Sequence, residues 1–120
     1  MILVDTSVWV AHLSRRSTDL DQALERNEVL THPFILGELA LGALIRRTET
    51  LGLLANLPKA QKANDVEVLT LIEETRLYSQ GIGWVDAHLV ASARLSDCSI
   101  WTLDRALAKV AKTLRIPIII

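Results

Sequence analysis

Four acidic residues of this chain stand out because each adjoins at least one apolar residue: Asp5 in "LVDTS", Glu38 in "LGELA", Asp86 in "WVDAH" and Asp104 in "TLDRA". Carboxylates that meet at one place repel one another, and some would have to stay protonated at neutral pH. A divalent cation removes this conflict, since Mg²⁺ and Mn²⁺ prefer oxygen ligands and Mg²⁺ completes its shell with water and phosphate oxygens. If the four side chains converge, their chemistry predicts a metal site that acts on phosphate esters.

The apolar pattern predicts the elements that would position these acids. Short apolar runs at 2–4, 28–32, 99–103 and 116–120 are typical of buried strands. The segments between them predict helices at 6–13, 17–27, 33–48, 49–57, 64–79, 84–95 and 105–114, with a strand over 66–69 as the competing interpretation and a turn at 81–83. Strands that alternate with helices indicate an α/β fold with a parallel sheet covered on both faces, in one domain spanning 1–120.

In such sheets ligands bind beyond the carboxyl ends of the strands, and Asp5 and Asp104 both follow a predicted strand directly. Helix capping is the structural alternative for these two residues, and Asp86 could complement the dipole of its helix. Glu38 differs, because it lies within "FILGELALGALI" (34–45), a segment without a polar face that is predicted to be buried. A buried carboxylate needs a partner, which leaves a metal ion or a buried salt bridge.

Composition limits the other function classes. The net charge of −1 does not indicate a basic nucleic-acid binder, but without the four acids 13 basic residues face 10 acidic ones, a balance of +3. A lone cysteine, Cys98, permits no intrachain disulfide, and no apolar run is long enough for a signal peptide or a bilayer span, so we expect a cytoplasmic protein without membrane association.

The histidine spacing does not indicate zinc, so His12, His32 and His88 are interpreted as structural. The tryptophans Trp9, Trp84 and Trp101 are expected in the core.

Taken together, four segments resemble the PIN-domain ribonucleases, and among them the VapC-type toxins of toxin–antitoxin pairs. They are "ILVDTSVWV" (2–10), "GELALGAL" (37–44), "GIGWVDAHLVASARL" (81–95) and "WTLDRALAKVAKTLRI" (101–116). In order, they match the Asp-Thr-Ser strand end, the Glu helix, the Gly-x-Gly segment with Asp-Ala, and the Thr-x-Asp end of that family. The resemblance covers the whole chain and implies a PIN-like fold with four to five short parallel strands flanked by helices on both faces.

The resemblance implies hydrolysis of RNA that depends on Mg²⁺ or Mn²⁺. Asp5 and Asp86 would bind the metal directly, while Glu38 and Asp104 would act directly or through water. Hydrogen bonds from Thr6, Ser7 and Thr102 would support these four acids. Such toxins pair with a small antitoxin protein that blocks the site, and they are commonly homodimers.

Two points concern the surroundings of this predicted site. Arg105 and Arg15 are candidates for contacts with RNA phosphates, Arg105 because it directly follows Asp104. Some family members carry a further acid after the Thr-x-Asp motif, where this chain has Arg105, Ala106 and Leu107. This departure leaves the number of metal ions open.

A non-catalytic regulatory or binding domain is the alternative function. A receiver-like domain would carry a pair of acids at its first strand and a lysine after a late strand, whereas "LVDTS" offers one acid and "WTLDRA" has no lysine at the strand end. A binding domain derived from the PIN fold would have lost some of the acids, and all four are present. Walker A and Gly-x-Gly-x-x-Gly loops are absent, so nucleotide binding through such loops is not indicated.

Overall fold

The computed structural model describes residues 1–15 and 18–119, without the side chains of residues 15 and 18. Its sheet contains four parallel strands in the order β2-β1-β3-β4. They are β1 (Ile2–Val4), β2 (Val29–Leu30), β3 (Ser99–Trp101) and β4 (Ile118–Ile119). Leu3 of the central strand β1 is paired with Leu30 on one side and Ile100 on the other. The predicted parallel sheet is therefore confirmed, although β2 and β4 are shorter than their apolar runs suggested.

Seven helices lie in the described part of the chain. They are α1 (Thr6–Arg15), α2 (Thr18–Glu25), α3 (Pro33–Ala40), α4 (Arg47–Ala55), α5 (Asp65–Thr75), α6 (Trp84–Ser96) and α7 (Arg105–Thr113). From β1 to β2 the chain moves towards one edge of the sheet, and from β3 to β4 it moves towards the other. Because parallel connections are right-handed, these two crossovers place helices on opposite faces of the sheet.

The competing interpretation of a strand over 66–69 is wrong, because a reciprocal cap begins α5 just before this segment. The Asn64 carboxamide oxygen accepts the Glu67 backbone N–H at 2.8 Å, and the Glu67 carboxylate accepts the Asn64 N–H at 3.0 Å. Such a capping box satisfies two of the backbone donors that a helix leaves unpaired at its start. The polar residues before the apolar positions therefore decide the local structure here.

The prediction of one buried helix from 33 to 48 is also wrong. The helix α3 ends at Ala40, the chain turns through residues 41–46, and Arg46 takes a left-handed conformation with φ 51° before α4 begins. The Arg47 guanidinium folds back and donates hydrogen bonds to the carbonyl of Gly42 at 3.1 Å and to that of Ala40. Arg47, the first residue of α4, thus satisfies carbonyls at and just beyond the end of α3.

Apolar residues of this turn face solvent. Leu41 is 90% exposed and Ile45 is 84% exposed, whereas Ile35 and Leu39 of α3 lie in the core. Glu38 is exposed as well, so the predicted burial of its carboxylate is wrong for the isolated chain. An apolar segment of sequence indicates burial, but it does not say whether the chain itself or a partner provides the cover.

The main core lies on both sides of β1 and β3 and includes Trp9 of α1, as predicted. Trp101 is partly buried against it, but Trp84 at the start of α6 is 42% exposed, so the prediction that it lies in the core is wrong. No helix in residues 1–15 and 18–119 is long and apolar enough to cross a membrane. The core fixes the two central strands, and Asp5 and Asp104 lie shortly after their carboxyl ends.

Candidate active site

The ends of β1 and β3 bring two predicted site residues side by side. Val4 is paired with Trp101, and Asp5, the residue directly after β1, donates its N–H to the Trp101 carbonyl at 2.9 Å. Thr102 follows Trp101, and Asp104 lies two residues further on. Asp5 and Thr102 are therefore neighbours at the carboxyl edge of the sheet, which is the edge where ligands bind in such folds.

Two hydroxyl groups hold the Asp5 carboxylate. The hydroxyls of Ser7 and Thr102 each donate to Oδ2 of Asp5 at 2.7 Å. The Ser7 hydroxyl also accepts the N–H of Leu103 at 3.0 Å, and the Thr102 hydroxyl accepts the N–H of Asp104 at 3.0 Å. Asp5 is only 7% exposed, so this network fixes its orientation and ties α1 to the loop after β3. The supporting positions predicted for Ser7 and Thr102 agree with these contacts.

Glu38 reaches the site from α3. The Thr6 hydroxyl at the start of α1 donates to Oε1 of Glu38 at 2.7 Å, across 32 positions of sequence. This bond explains how an exposed glutamate on α3 is directed towards the end of β1, next to Asp5. The salt bridge considered for Glu38 is not found among the described residues.

Asp86 and Asp104 stand at the starts of two helices. Oδ2 of Asp86 accepts the N–H of Gly83 at 3.2 Å, which closes the first turn of α6. Oδ1 of Asp104 accepts the N–H groups of Ala106 at 2.9 Å and Leu107 at 3.1 Å and so caps α7. The capping role considered for Asp104 and the helix-start role considered for Asp86 are therefore real, whereas the Asp5 side chain binds hydroxyls instead.

All four acids share one property. Each uses one carboxylate oxygen for a hydrogen bond within the chain, and within the described residues its second oxygen accepts none. The bound oxygen orients the side chain, while the second oxygen is available to an external ligand. Four oriented carboxylates, each with one available oxygen, form a donor set suited to a hard divalent cation.

The electrostatics of Asp86 reflect the proximity of the other three acids. Burial raises its pKa above the ordinary value, the Gly83 N–H opposes this change, and the charges of Asp5, Asp104 and Glu38 raise the pKa further. Each negative charge therefore makes the next one less favourable in the absence of a cation. A bound divalent cation would reverse the sign of this interaction.

The donor chemistry fits Mg²⁺ or Mn²⁺, and the positions limit how such an ion could be held. Within residues 1–15 and 18–119, no three His, Cys, Asp or Glu side chains come close enough together to enclose a metal ion. Mg²⁺ usually keeps several waters and binds one or two carboxylates directly. The arrangement therefore fits direct ligation by one or two of the acids, with the others acting through water.

Of the two arginines predicted to contact RNA, the structure describes the side chain of only one. Arg105 is exposed at the first position of α7, directly after Asp104. Arg15 is the last residue of α1, and its side chain lies outside the described residues. Arg105 is thus an exposed basic residue that directly follows one of the four acids.

An apolar groove beside the site was missed at the level of sequence. It has a volume of about 290 Å³, lies between α1, α3 and the turn after α3, and includes Glu38 in its wall. Its apolar lining consists mainly of Val10, Leu13, Leu39, Leu44 and Ile45. The apolar run at 34–45 is the sequence signal for this groove, although its composition alone predicts one buried helix.

Comparisons with known proteins agree with this geometry. Residues 2–113 match the family described as PIN domain. Two curated relatives named Ribonuclease VapC32, from Mycobacterium tuberculosis strains CDC 1551 / Oshkosh and H37Rv, are each 43% identical over 108 residues, which cover 89% of this chain and 87% of the relative. The crystal structure of PAE2754 from Pyrobaculum aerophilum has the same fold, with a TM-score of 0.62, 22% identity, and coverage of 98% of this chain and 82% of that one. The chain belongs to the PIN-domain family.

Proposed function

We propose that this chain is a metal-dependent endoribonuclease, the toxin of a toxin–antitoxin pair, and that it hydrolyses phosphodiester bonds in RNA with Mg²⁺ or Mn²⁺. The observation that carries the proposal is the set of four carboxylates, each oriented through one oxygen and available through the other. The relative that is 43% identical bears the name of a VapC ribonuclease, which supports the same activity. We propose that the chain acts in the cytoplasm, where its RNA substrate would be found.

In this proposal Asp5 and Asp86 hold the metal directly, and Glu38 and Asp104 hold it directly or through water. When bound, the metal polarises a phosphoryl oxygen and makes a coordinated water more acidic. The hydroxyls of Ser7 and Thr102 keep Asp5 in one orientation, so its available oxygen does not have to be ordered when the ion arrives. Thr6 does the same for Glu38.

The chain also supplies groups that position the substrate. Arg105 would contact an RNA phosphate next to the acids. The Asp104 cap fixes the backbone at the start of α7, from which the Arg105 side chain extends. Such phosphate contacts orient a nucleic acid without reading its sequence. The four carboxylates repel RNA when no cation is bound, so binding of metal and RNA should be coupled.

Cleavage of labelled RNA by the purified chain tests the proposed activity. Mn²⁺ or Mg²⁺ should support cleavage, EDTA should stop it, and Asp5→Asn should abolish it while the protein stays folded. Asp97→Asn is the matched control, because Asp97 is exposed at the other end of α6, where φ is 50° and asparagine is well tolerated. Cleavage that survives Asp5→Asn would refute the mechanism, and a folded, metal-loaded chain that cuts no RNA would favour the PIN-derived binding domain.

We further propose that the groove beside Glu38 receives the antitoxin. An inhibitor of this site has to reach the carboxylates. The groove offers apolar contacts and has one of these carboxylates, Glu38, in its wall. Its occupant is therefore expected to be a segment with apolar side chains and a basic residue that pairs with the acids. Ile45→Glu should weaken the complex with the antitoxin and leave RNA cleavage intact, whereas an unchanged complex would argue against this groove.

The chain is also proposed to form a homodimer through the surface shared by α5 and α6. A depression of about 520 Å³ there combines apolar Val66 and Leu95 with Glu67, Glu74 and Arg94. Both signs of charge on one patch permit pairing of Arg94 with a glutamate of a second copy across a twofold axis. Light scattering should give twice the chain mass of 13.3 kDa, and Leu95→Glu should reduce it to the single-chain value. A single-chain mass for the unaltered protein would refute the dimer.

A further inference from the structure

A buried histidine joins the two helices that carry Glu38 and Asp86. His32 follows β2 directly and is the N-cap residue of α3, with extended backbone angles and a fully buried imidazole. Its Nδ1 accepts the backbone N–H of Phe34 at 3.0 Å. In a neutral imidazole one nitrogen accepts and the other carries the proton, so this bond places the proton on Nε2.

The protonated nitrogen meets α6. Nε2 of His32 lies 3.1 Å from Oγ of Ser92, which is also fully buried and is 60 positions away in the sequence. With Nδ1 as the acceptor, Nε2–H donates to the Ser92 hydroxyl. One rigid ring therefore connects the first turn of α3 to the middle of α6.

The two ends of this connection are placed symmetrically with respect to the acids. Glu38 comes six residues after His32, and Asp86 comes six residues before Ser92. In a helix six residues correspond to about 9 Å along the axis. A change in the spacing between His32 and Ser92 would therefore be transmitted along both helices to the two carboxylates.

We propose that His32 is a positioning residue, which sets the distance between Glu38 and Asp86 through its bonds to Phe34 and Ser92 and thereby sets the affinity of the site for its divalent cation. The inference rests on the proposed metal-dependent function. His32 touches neither substrate nor metal in this proposal, and it acts through the helices it joins.

The imidazole is well suited to this role. Asparagine or serine could cap α3 in its place, but both are too short to reach Ser92 from the same position. The Phe34 and His88 rings also bring α3 close to α6, with centroids 4.6 Å apart, but an edge contact between rings fixes spacing less tightly than a directed hydrogen bond. Burial lowers the pKa of His32 to about 4, with His88 and Lys62 adding to the effect, so the ring remains neutral near pH 7.

Calorimetric titration with Mn²⁺ tests the proposal independently of catalysis. Ser92→Ala removes the acceptor, and His32→Asn keeps a cap for α3 but loses the bond to α6. Each should weaken Mn²⁺ binding by about tenfold, at the lower end of what loss of a supporting hydrogen bond costs a metal site. The double variant should lose no more than either single variant, because both remove the same bond.

A matched control separates positioning from general destabilisation. Leu20→Ala removes a fully buried side chain from α2, which carries none of the four acids, and should lower the unfolding temperature without changing the Mn²⁺ affinity. The Mn²⁺ concentration for half-maximal RNA cleavage should rise for Ser92→Ala and His32→Asn only, while the RNA KM at saturating Mn²⁺ stays the same.

The outcomes distinguish this inference from the proposed function. Unchanged Mn²⁺ affinity in a folded Ser92→Ala protein would overturn the role of His32, even if the unaltered chain binds Mn²⁺ and cleaves RNA. Absence of Mn²⁺ binding by the unaltered chain would overturn both proposals together. A tenfold loss of affinity without a matching loss in Leu20→Ala would support the positioning role.

Discussion

The neutral state of His32 predicts a stability that depends on pH. The ordinary pKa of a histidine is 6.5, and burial lowers that of His32 to about 4 in the folded chain. Between these values the unfolded chain binds a proton that the folded chain does not. The contribution of His32 to stability is therefore complete above about pH 6.5 and is lost as the pH falls towards 4.

The two pKa values determine the size of this effect. Each unit of difference corresponds to 1.36 kcal/mol, so the full loss below pH 4 is about 3 kcal/mol. At pH 5 the unfolded histidine is almost fully protonated and the folded one is almost neutral, which gives a loss of about 2 kcal/mol. A small domain has only about 5–15 kcal/mol of stability, so this loss is large enough to measure.

Urea unfolding of the metal-free protein at pH 8 and pH 5, followed by tryptophan fluorescence, measures the effect. Other groups titrate over the same range, including His88, whose pKa burial also lowers. The His32→Asn variant retains those groups, so the difference in unfolding free energy between the two proteins isolates His32. This difference should shrink by about 2 kcal/mol from pH 8 to pH 5. A constant difference would show that His32 is protonated or accessible in the folded chain and would refute its buried, neutral state.

Three further predictions concern the site and its surroundings. Asp86→Asn should raise the unfolding temperature of the metal-free protein, because the raised pKa of Asp86 indicates that its negative charge is unfavourable there. Mn²⁺ at 100 times its Kd should stabilise the unaltered chain by about 2.7 kcal/mol, and the variant should lose this stabilisation. Equal stabilisation of both proteins would contradict metal binding by Asp86. Arg105→Ala should weaken RNA binding equally for different sequences, and the slope of log affinity against log salt concentration should fall by about one unit, as measured by fluorescence anisotropy. Arg26→Ala, which removes an exposed arginine after α2, is the control. Arg47→Met should lower the unfolding free energy by about 1 kcal/mol in urea titration, because the carbonyls of Gly42 and Ala40 lose a charged donor; a neutral effect would mean that water replaces the guanidinium at no cost.

The ends of the central strands could be predicted from sequence because local signals define them. Apolar residues precede Asp5 and Thr102 directly, and parallel strands bring their carboxyl ends to one edge of the sheet. The acids at helix starts could be placed for the same reason, since Gly83 and Asp104 carry cap signals in the sequence. These features depend on a few consecutive residues.

Features that depend on distant contacts could not be predicted. The bond between Thr6 and Glu38 joins residues 32 positions apart, and the bond between His32 and Ser92 spans 60. Histidine and serine are common residues, and neither forms a pattern with the other in the sequence. The break in the helix at 41–46 was missed for a related reason: the apolar composition indicated burial, whereas the exposed Leu41 and Ile45 belong to a surface beside the groove.

Capping leaves metal binding open to the acids at helix starts, because a cap uses only one of the two carboxylate oxygens. Asp104 caps α7 with Oδ1 and leaves Oδ2 without a partner among the described residues, and Asp86 divides its oxygens in the same way. Asparagine retains an oxygen that can cap a helix but removes the charge, whereas alanine removes both. At Asp104 the Asn variant should therefore lose activity at unchanged stability, while the Ala variant should lose both. A carboxylate that completes the first turn of its helix is held in place by the fold itself, so the structural role of each acid is also what prepares it for the cation.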